Sequence, residues 1–164
     1  MTKTKTLTKR HFLTLAGAAL ATGTITMKQS FAQTIEKLKL SKAQWRERLT
    51  AEEFQVLRKA GTEPPHSSPL NAEHREGTYH CAGCDLPLFE AGTKYESGTG
   101  WPSFYDYIPG HLGFKTDLKL VIPRKEYHCM RCDGHQGHVF KDGPEPTGLR
   151  YCNNGVALSF VPSE

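Results

Sequence analysis

The chain lacks a long apolar run. Its most apolar stretch, residues 12–27, is short and diluted by Gly and Thr, whereas a membrane-spanning helix needs about 20 consecutive apolar residues. No membrane span is therefore expected in the mature chain. A basic excess is also missing once the N-terminus is set aside. The formal charge is +4, but residues 1–32 hold Lys3, Lys5, Lys9, Arg10 and Lys28 and no acid, so the remainder carries −1. That balance offers phosphate backbones nothing and speaks against nucleic-acid binding. Room for long helices is scarce too, because 15 glycines and 10 prolines in 164 residues favour turns and short strands. Cysteine is sparse and odd in number, five in all, so at least one has no partner within the chain.

What is present begins with a basic, Thr-rich start, the mildly apolar stretch, and then Ser30-Phe31-Ala32 with small residues at −3 and −1 before Gln33. That is the three-part layout of an export signal. Thr8-Lys9-Arg10-His11-Phe12-Leu13 resembles a twin-arginine signal with Lys9 at the first arginine position. The expected organisation is a cleaved export signal over residues 1–32 and one domain over residues 33–164, delivered to the periplasm.

Two short helices are predicted next. Ser41 caps the first, with Trp45 and Leu49 on one face. Thr50 and Glu53 form a capping box for the second, whose apolar side is Phe54, Val56 and Leu57. Gly61 is expected to end it, with Pro64-Pro65 forbidding its resumption. Residues 62–76 read as a polar loop on the outside, with His66 and His74 solvated. From Gly77 the pattern becomes short strands broken by turns. Candidate strands are 77–80, 86–89, 103–108, 118–123, 125–128, 149–151 and 157–161, implying a mainly β fold with strongly curved antiparallel sheets.

Four cysteines form two CxxC pairs, Cys81/Cys84 and Cys129/Cys132, each preceded directly by Tyr-His. Two such knuckles supply four thiolates in the number and geometry that zinc prefers. A four-thiolate site has no open position, so one structural Zn2+ per chain is expected, clamping two distant hairpins. Two disulfides, a dithiol redox pair, or iron in the same cage are the alternatives.

Cys152 is left over. Arg150 lies two residues before it, and Asn153-Asn154-Gly155 makes a polar turn after it. A nearby cation lowers a thiol pKa, and His135 and His138 sit in a Gly-flanked loop upstream. A nucleophilic thiol with histidines to move protons is one reading. A buried core thiol with surface or metal-binding histidines is the other.

Gly100-Trp101-Pro102-Ser103-Phe104, Gly137-His138-Val139-Phe140, Asp142-Gly143-Pro144 and Pro146-Thr147-Gly148-Leu149-Arg150-Tyr151-Cys152 resemble the motifs of the B-type peptide-methionine (R)-S-oxide reductases. The resemblance runs over roughly residues 41–160 and includes both CxxC pairs. It implies a two-sheet antiparallel β fold with short N-terminal helices. The implied activity is reduction of methionine (R)-sulfoxide residues in oxidised proteins, a repair reaction of the oxidative stress response. It implies Cys152 as nucleophile, passing through a sulfenic acid, and His135 and His138 as the groups that bind and protonate the sulfoxide oxygen. Trp101 would form the methyl pocket, with Phe104 and Tyr105 extending it. Arg150 and Asn154 would line the site, and Cys81, Cys84, Cys129 and Cys132 would hold zinc. Many members carry a second cysteine directly before Gly-Trp-Pro-Ser-Phe; here Thr99 stands there. Regeneration by an external donor, thioredoxin-like or another thiol, is therefore expected. Asn153 and Gly155 also depart from the commoner apolar residue and Ser. A non-enzymatic zinc-ribbon adaptor and a CxxC thiol–disulfide oxidoreductase are the competing functions.

Overall fold

Two reciprocal caps start the ordered elements. In the computed structural model, which describes Met1, residues 34–119 and residues 122–164, Ser41 Oγ accepts from Gln44 N and Gln44 Oε1 from Ser41 N, opening helix α1, Lys42–Arg48. Thr50 and Glu53 repeat the arrangement for α2, Ala51–Lys59. The left-handed residue that ends α2 is Ala60 (φ 50), not Gly61. Gly61 instead donates its amide to Gln55 O, and a Cβ there would come within 2.9 Å of that oxygen. Its small size admits the closing bond. The proposed export segment lies outside the described residues, apart from Met1.

Among the described residues nine strands follow: β1 Gly77–Cys81, β2 Pro87–Glu90, β3 Lys94–Tyr95, β4 Ser103–Phe104, β5 Leu112–Asp117, β6 Arg124–Cys129, β7 His135–Phe140, β8 Arg150–Asn153 and β9 Leu158–Pro162. They form a three-stranded sheet in the order β2-β1-β9 and a six-stranded sheet in the order β3-β4-β8-β7-β6-β5. Every pairing is antiparallel. The mainly β fold with two sheets and two short helices is the one expected.

Several strand assignments need correction. Among the described residues of 118–123 none is in a strand; β5 ends at Asp117, whose carboxylate accepts from Lys119 N at 2.9 Å. Pro123, with no N–H, ends the connection before β6. Only Ser103–Phe104 of 103–108 is paired. Strands β3 and β5 were missed, and so was β7. Its first four residues are all buried, polar ones included, so no alternation marks it.

The core is aromatic. Phe89 stacks on Phe104 with centroids 4.1 Å apart, Tyr79 meets Phe104 edge-on at 4.9 Å, and Tyr127 and Tyr151 close the group at 5.6 Å from each other. Phe104 is 0% exposed. It therefore does not extend a substrate wall, as the resemblance implied; it holds one sheet to the other. Tyr105 also turns away, its hydroxyl donating to Gly92 O. Phe104→Ala should lower unfolding free energy by about 3–5 kcal/mol. Phe104→Leu should leave the KM for substrate unchanged, checked by denaturant titration and steady-state kinetics; a raised KM would return the ring to the site.

Candidate active site and metal centre

The two knuckles are built alike. In each, the residue after the second cysteine is an aspartate in the left-handed region, Asp85 (φ 62) and Asp133 (φ 57), a conformation Asp tolerates better than most side chains. Its amide turns back to the first cysteine's carbonyl, Asp85 N to Cys81 O at 2.8 Å and Asp133 N to Cys129 O at 2.9 Å. The preceding tyrosines, Tyr79 and Tyr127, anchor both knuckles in the aromatic core. Arginines satisfy the outer carbonyls, Arg48 on Gly83 O and Arg58 on Cys132 O. The helices thereby bind the knuckles directly.

This brings four buried sulfurs together. Cys81 and Cys132 lie 3.6 Å apart, Cys84 and Cys129 3.5 Å apart, and all four ligand atoms fall within 4.8 Å of one another. A tetrahedral ion with Zn–S bonds of about 2.3 Å requires S···S of about 3.8 Å, so the four donors fit one such metal. All five cysteines are free, and these separations are far longer than the roughly 2.05 Å of a disulfide.

The second centre is a row across the six-stranded sheet. Cys152 on β8 pairs with Ser103 on β4 and with His138 on β7; His138 pairs with Glu126 on β6, and Glu126 with Lys115 on β5. Directly opposed residues in antiparallel strands present their side chains on one face, so the thiol, the imidazole and the carboxylate share it. Strand β7 approaches β8 closely at Gly137, where a Cβ would sit 1.9 Å from Cys152 O. A bulge between Tyr127 and His128 brings His135 opposite His128. His135 then lies beside His138, with ring centroids 5.4 Å apart.

Each imidazole leans on a carboxylate absent from the sequence reading. His138 Nε2 lies 2.8 Å from Asp117 Oδ2, and His135 Nδ1 lies 3.0 Å from Glu126 Oε1. Cations complete both pairs, Arg124 on Asp117 at 2.7 Å and Lys115 on Glu126 at 3.0 Å. Asp117 is held well below the usual carboxylate range by the Lys119 amide, His138 and Arg124. Burial pushes Glu126 up, but His135 and Lys115 outweigh it and bring its pKa down to about 2. Burial lowers His138, against the pull of Asp117, so its ring rests neutral at neutral pH.

A cavity of about 120 Å³ opens beside Cys152, lined among others by Thr62, Trp101, His138, Phe140 and Asn154. At about 30 Å³ per water this holds about four small atoms' worth of ligand. Trp101 is half-buried and fixed by Nε1 donating to Glu63 O at 3.1 Å. Glu63, also missed in the sequence, is a knot. Its amide donates to Asn154 Oδ1, and its carboxylate accepts from Gly155 N and Val156 N at 2.6 and 2.8 Å. Nothing in the polar loop 62–76 singles it out. Asn154 also donates to Gln136 O, so it braces the turn behind the nucleophile.

Arg150 lies close enough to Cys152 to lower its thiol pKa, while its charge is shared with Asp142. Its guanidinium is bound at two points by Asp142, at 2.9 and 2.8 Å, and stacks over Phe140. Burial raises the Cys152 thiol pKa, and the opposing pull of Arg150 and of a hydrogen bond from Thr99 does not cancel it. The thiol rests protonated.

Four buried cysteines in two knuckles, able to hold a metal, and a lone part-exposed thiol on a small cavity define the class of protein. The chain belongs to the SelR domain family, whose model matches residues 49–162. It is 49% identical over 131 residues to the peptide methionine sulfoxide reductase MsrB of Pseudomonas putida (strain W619), covering 79% of this chain and 98% of that protein. It is 48% identical over 136 residues to the mitochondrial methionine-R-sulfoxide reductase B2 of Rattus norvegicus, covering 78% of each. The MsrB of Methanosarcina mazei is 48% identical over 129 residues, 78% of this chain and 92% of that one. Among solved structures, the Mis18 'Yippee-like' domain overlays on 55% of this chain and 99% of its own at 15% identity and a TM-score of 0.43.

Two pH dependences follow. Alkylation of Cys152 by iodoacetamide in the free protein should rise with a midpoint above 9, read by site-resolved mass spectrometry; a midpoint near neutrality would show that burial does not govern the thiol. The depressed Glu126 contributes stability that is present above its unfolded value near 4.5 and is lost as pH falls toward about 2. Glu126→Gln should flatten the slope of unfolding free energy over that window, measured by urea titration at stepped pH.

Proposed function

We propose that the protein reduces methionine (R)-sulfoxide to methionine with Cys152 as the nucleophile. The observation that carries the chemistry is the pairing of Cys152 with His138 across β7 and β8 at the mouth of a small cavity; family membership supplies the reaction. The substrate's methyl group enters against Trp101, where sulfur and methyl gain contact with the indole face. His138 Nε2 is bound to Asp117, which leaves Nδ1 to take the thiol proton as the sulfur attacks. The proton passes to the oxygen as the substrate S–O bond breaks, and the hydroxide so released attacks the Cys152 sulfur, breaking the S–S bond formed in the first step. His135, held by Glu126, contributes the neighbouring polar ring that receives the sulfoxide oxygen. The methionine leaves as a thioether and Cys152 is left as a sulfenic acid, so the substrate sulfur is reduced by two electrons and the cysteine oxidised by two.

Thr99, close enough to hydrogen-bond Cys152, cannot form a disulfide, and the other four thiols are buried in the cage. Two external thiols therefore complete the cycle. One displaces water to give a mixed disulfide, and the second releases Cys152 and a disulfide product. The donor is thioredoxin-like or another small thiol. A groove of about 850 Å³ lined by Val56, Leu70, Val156 and others shares Thr62 with the cavity. That continuity favours a sulfoxide carried in a protein chain over the free amino acid. The four-cysteine cage holds one zinc ion in a structural role. Burial of all four sulfurs speaks against CxxC disulfide exchange.

The sequence layout of residues 1–32, with its twin-arginine-like motif, supports export to the periplasm by the twin-arginine or the general secretory route. Among the described residues no helix is long and apolar enough to cross a membrane.

Separated sulfoxide epimers in a peptide test the activity: the R form should turn over and the S form should not. Cys152→Ser should abolish turnover, and His138→Ala should lower kcat by about 10²–10⁴-fold, with both variants folded. Intact mass after one sulfoxide equivalent without reductant should gain a single oxygen at Cys152; a stoichiometric internal disulfide would sink the external-donor cycle. N-terminal sequencing of protein from the periplasmic fraction should begin at Gln33.

A further inference from the structure

One buried polar chain serves neither the proton transfer nor the metal coordination described above. Gln136 lies on β7 with 0% exposure. Its Nε2 donates to Cys81 Sγ at 3.3 Å, and its Oε1 accepts from Asn153 Nδ2 at 3.3 Å. Asn153, equally sealed from solvent, is the residue directly after the nucleophile. Its Oδ1 accepts from Tyr127 OH at 2.8 Å, and its Nδ2 also donates to Asn154 O at 2.8 Å. The backbone oxygen of Gln136 accepts from both Asn154 N and Asn154 Nδ2 at 2.9 Å. A single side chain thus reaches from a cage sulfur to the strand that carries Cys152.

An amide buried this deeply costs about 1–3 kcal/mol for each polar group left unpaired, so Gln136 stays only while both ends are held. A metal-bound thiolate is a far better acceptor for an N–H than a neutral thiol is, and donors behind the ligands tune metal affinity. Resting on the zinc reading above, we propose that Gln136 is a positioning residue that couples the cysteine cage to the nucleophile: metal occupancy at Cys81 fixes Asn153, and through it the strand bearing Cys152. Linkage makes the coupling reciprocal. Loosening the turn at Asn153 weakens metal binding although no atom of Asn153 touches a ligand.

The experiment uses the zinc-loaded full chain and follows zinc release into a chromogenic chelator, with near-UV circular dichroism reporting the fold. Gln136→Met, close in shape but without donor or acceptor, should release zinc about 10–100-fold faster. The pair Asn153→Val with Tyr127→Phe, which removes the far end and leaves no orphaned hydroxyl, should also speed release. Combining it with Gln136→Met should add little, because both cut one chain. If Gln136→Met unfolds, Gln136→Glu keeps the acceptor for Asn153, removes the donor to sulfur, and should release zinc faster still. Unchanged release in the Asn153/Tyr127 pair, or full additivity, would overturn the coupling while leaving structural zinc intact. A wild-type protein purified without metal and unable to take up zinc would overturn both.

Discussion

The register between β7 and β8 is the constraint on which the rest depends. Placing His138 opposite Cys152 lines up a thiol, an imidazole and a carboxylate on one face of the six-stranded sheet. The aromatic core takes the other face through Phe104 and Tyr151. A slip of one residue would exchange the faces, drive polar groups into the core and leave the nucleophile among tyrosines. Several features pin that register. Gly137 permits the close approach of the strands. The bulge at Tyr127/His128 draws His135 to the row, and the amides of Asn153 and Asn154 are fixed by Pro102 O and Gln136 O.

Charge is distributed with the same economy. Asp117 and Glu126 each hold one imidazole and one basic side chain, and Arg150 is neutralised by Asp142. Arg150 and Thr99 pull the Cys152 thiol pKa down, but burial outweighs them and keeps its proton on. The resting enzyme therefore holds a neutral thiol beside a neutral imidazole. Such a pair attacks only when a group that accepts the proton, here a sulfoxide oxygen, enters the cavity. The thiol is guarded against unproductive oxidation until then, since thiolate character is what makes cysteine vulnerable.

Sequence patterns revealed the parts whose chemistry is local. The caps at Ser41 and Thr50, the two CxxC knuckles and the solitary Cys152 are legible because spacing along the chain fixes them. Strand β7 was not legible, since it is buried on both faces and carries Gln and His where alternation would be sought. The carboxylates were invisible for a different reason. Asp117 and Glu126 meet their histidines across strands, 21 and 9 positions away in sequence, and nothing local marks such pairs. Phe104 misled because it sits in a motif with Trp101. Trp101 lies in the bend before β4 and lines the cavity, whereas Phe104 alternates on β4 with Ser103, the partner of Cys152, and so turns its ring into the core.

Gly155 and Thr99, at which the sequence differs from the family pattern it resembles, have physical partners in the fold. Gly155 lies under the loop carrying Glu63 and Ser68, where a Cβ would meet Ser68 Oγ at 1.9 Å. With glycine there, that loop can settle directly on the turn and cap its amides with the Glu63 carboxylate, and the same residue's backbone then holds Trp101. Thr99 puts a hydroxyl where a second thiol is common, and that hydroxyl is joined through Ser97 to Ser103, the β4 partner of Cys152. Hydroxyls can give hydrogen bonds to a sulfur that is gaining negative charge or oxygen without reacting with it.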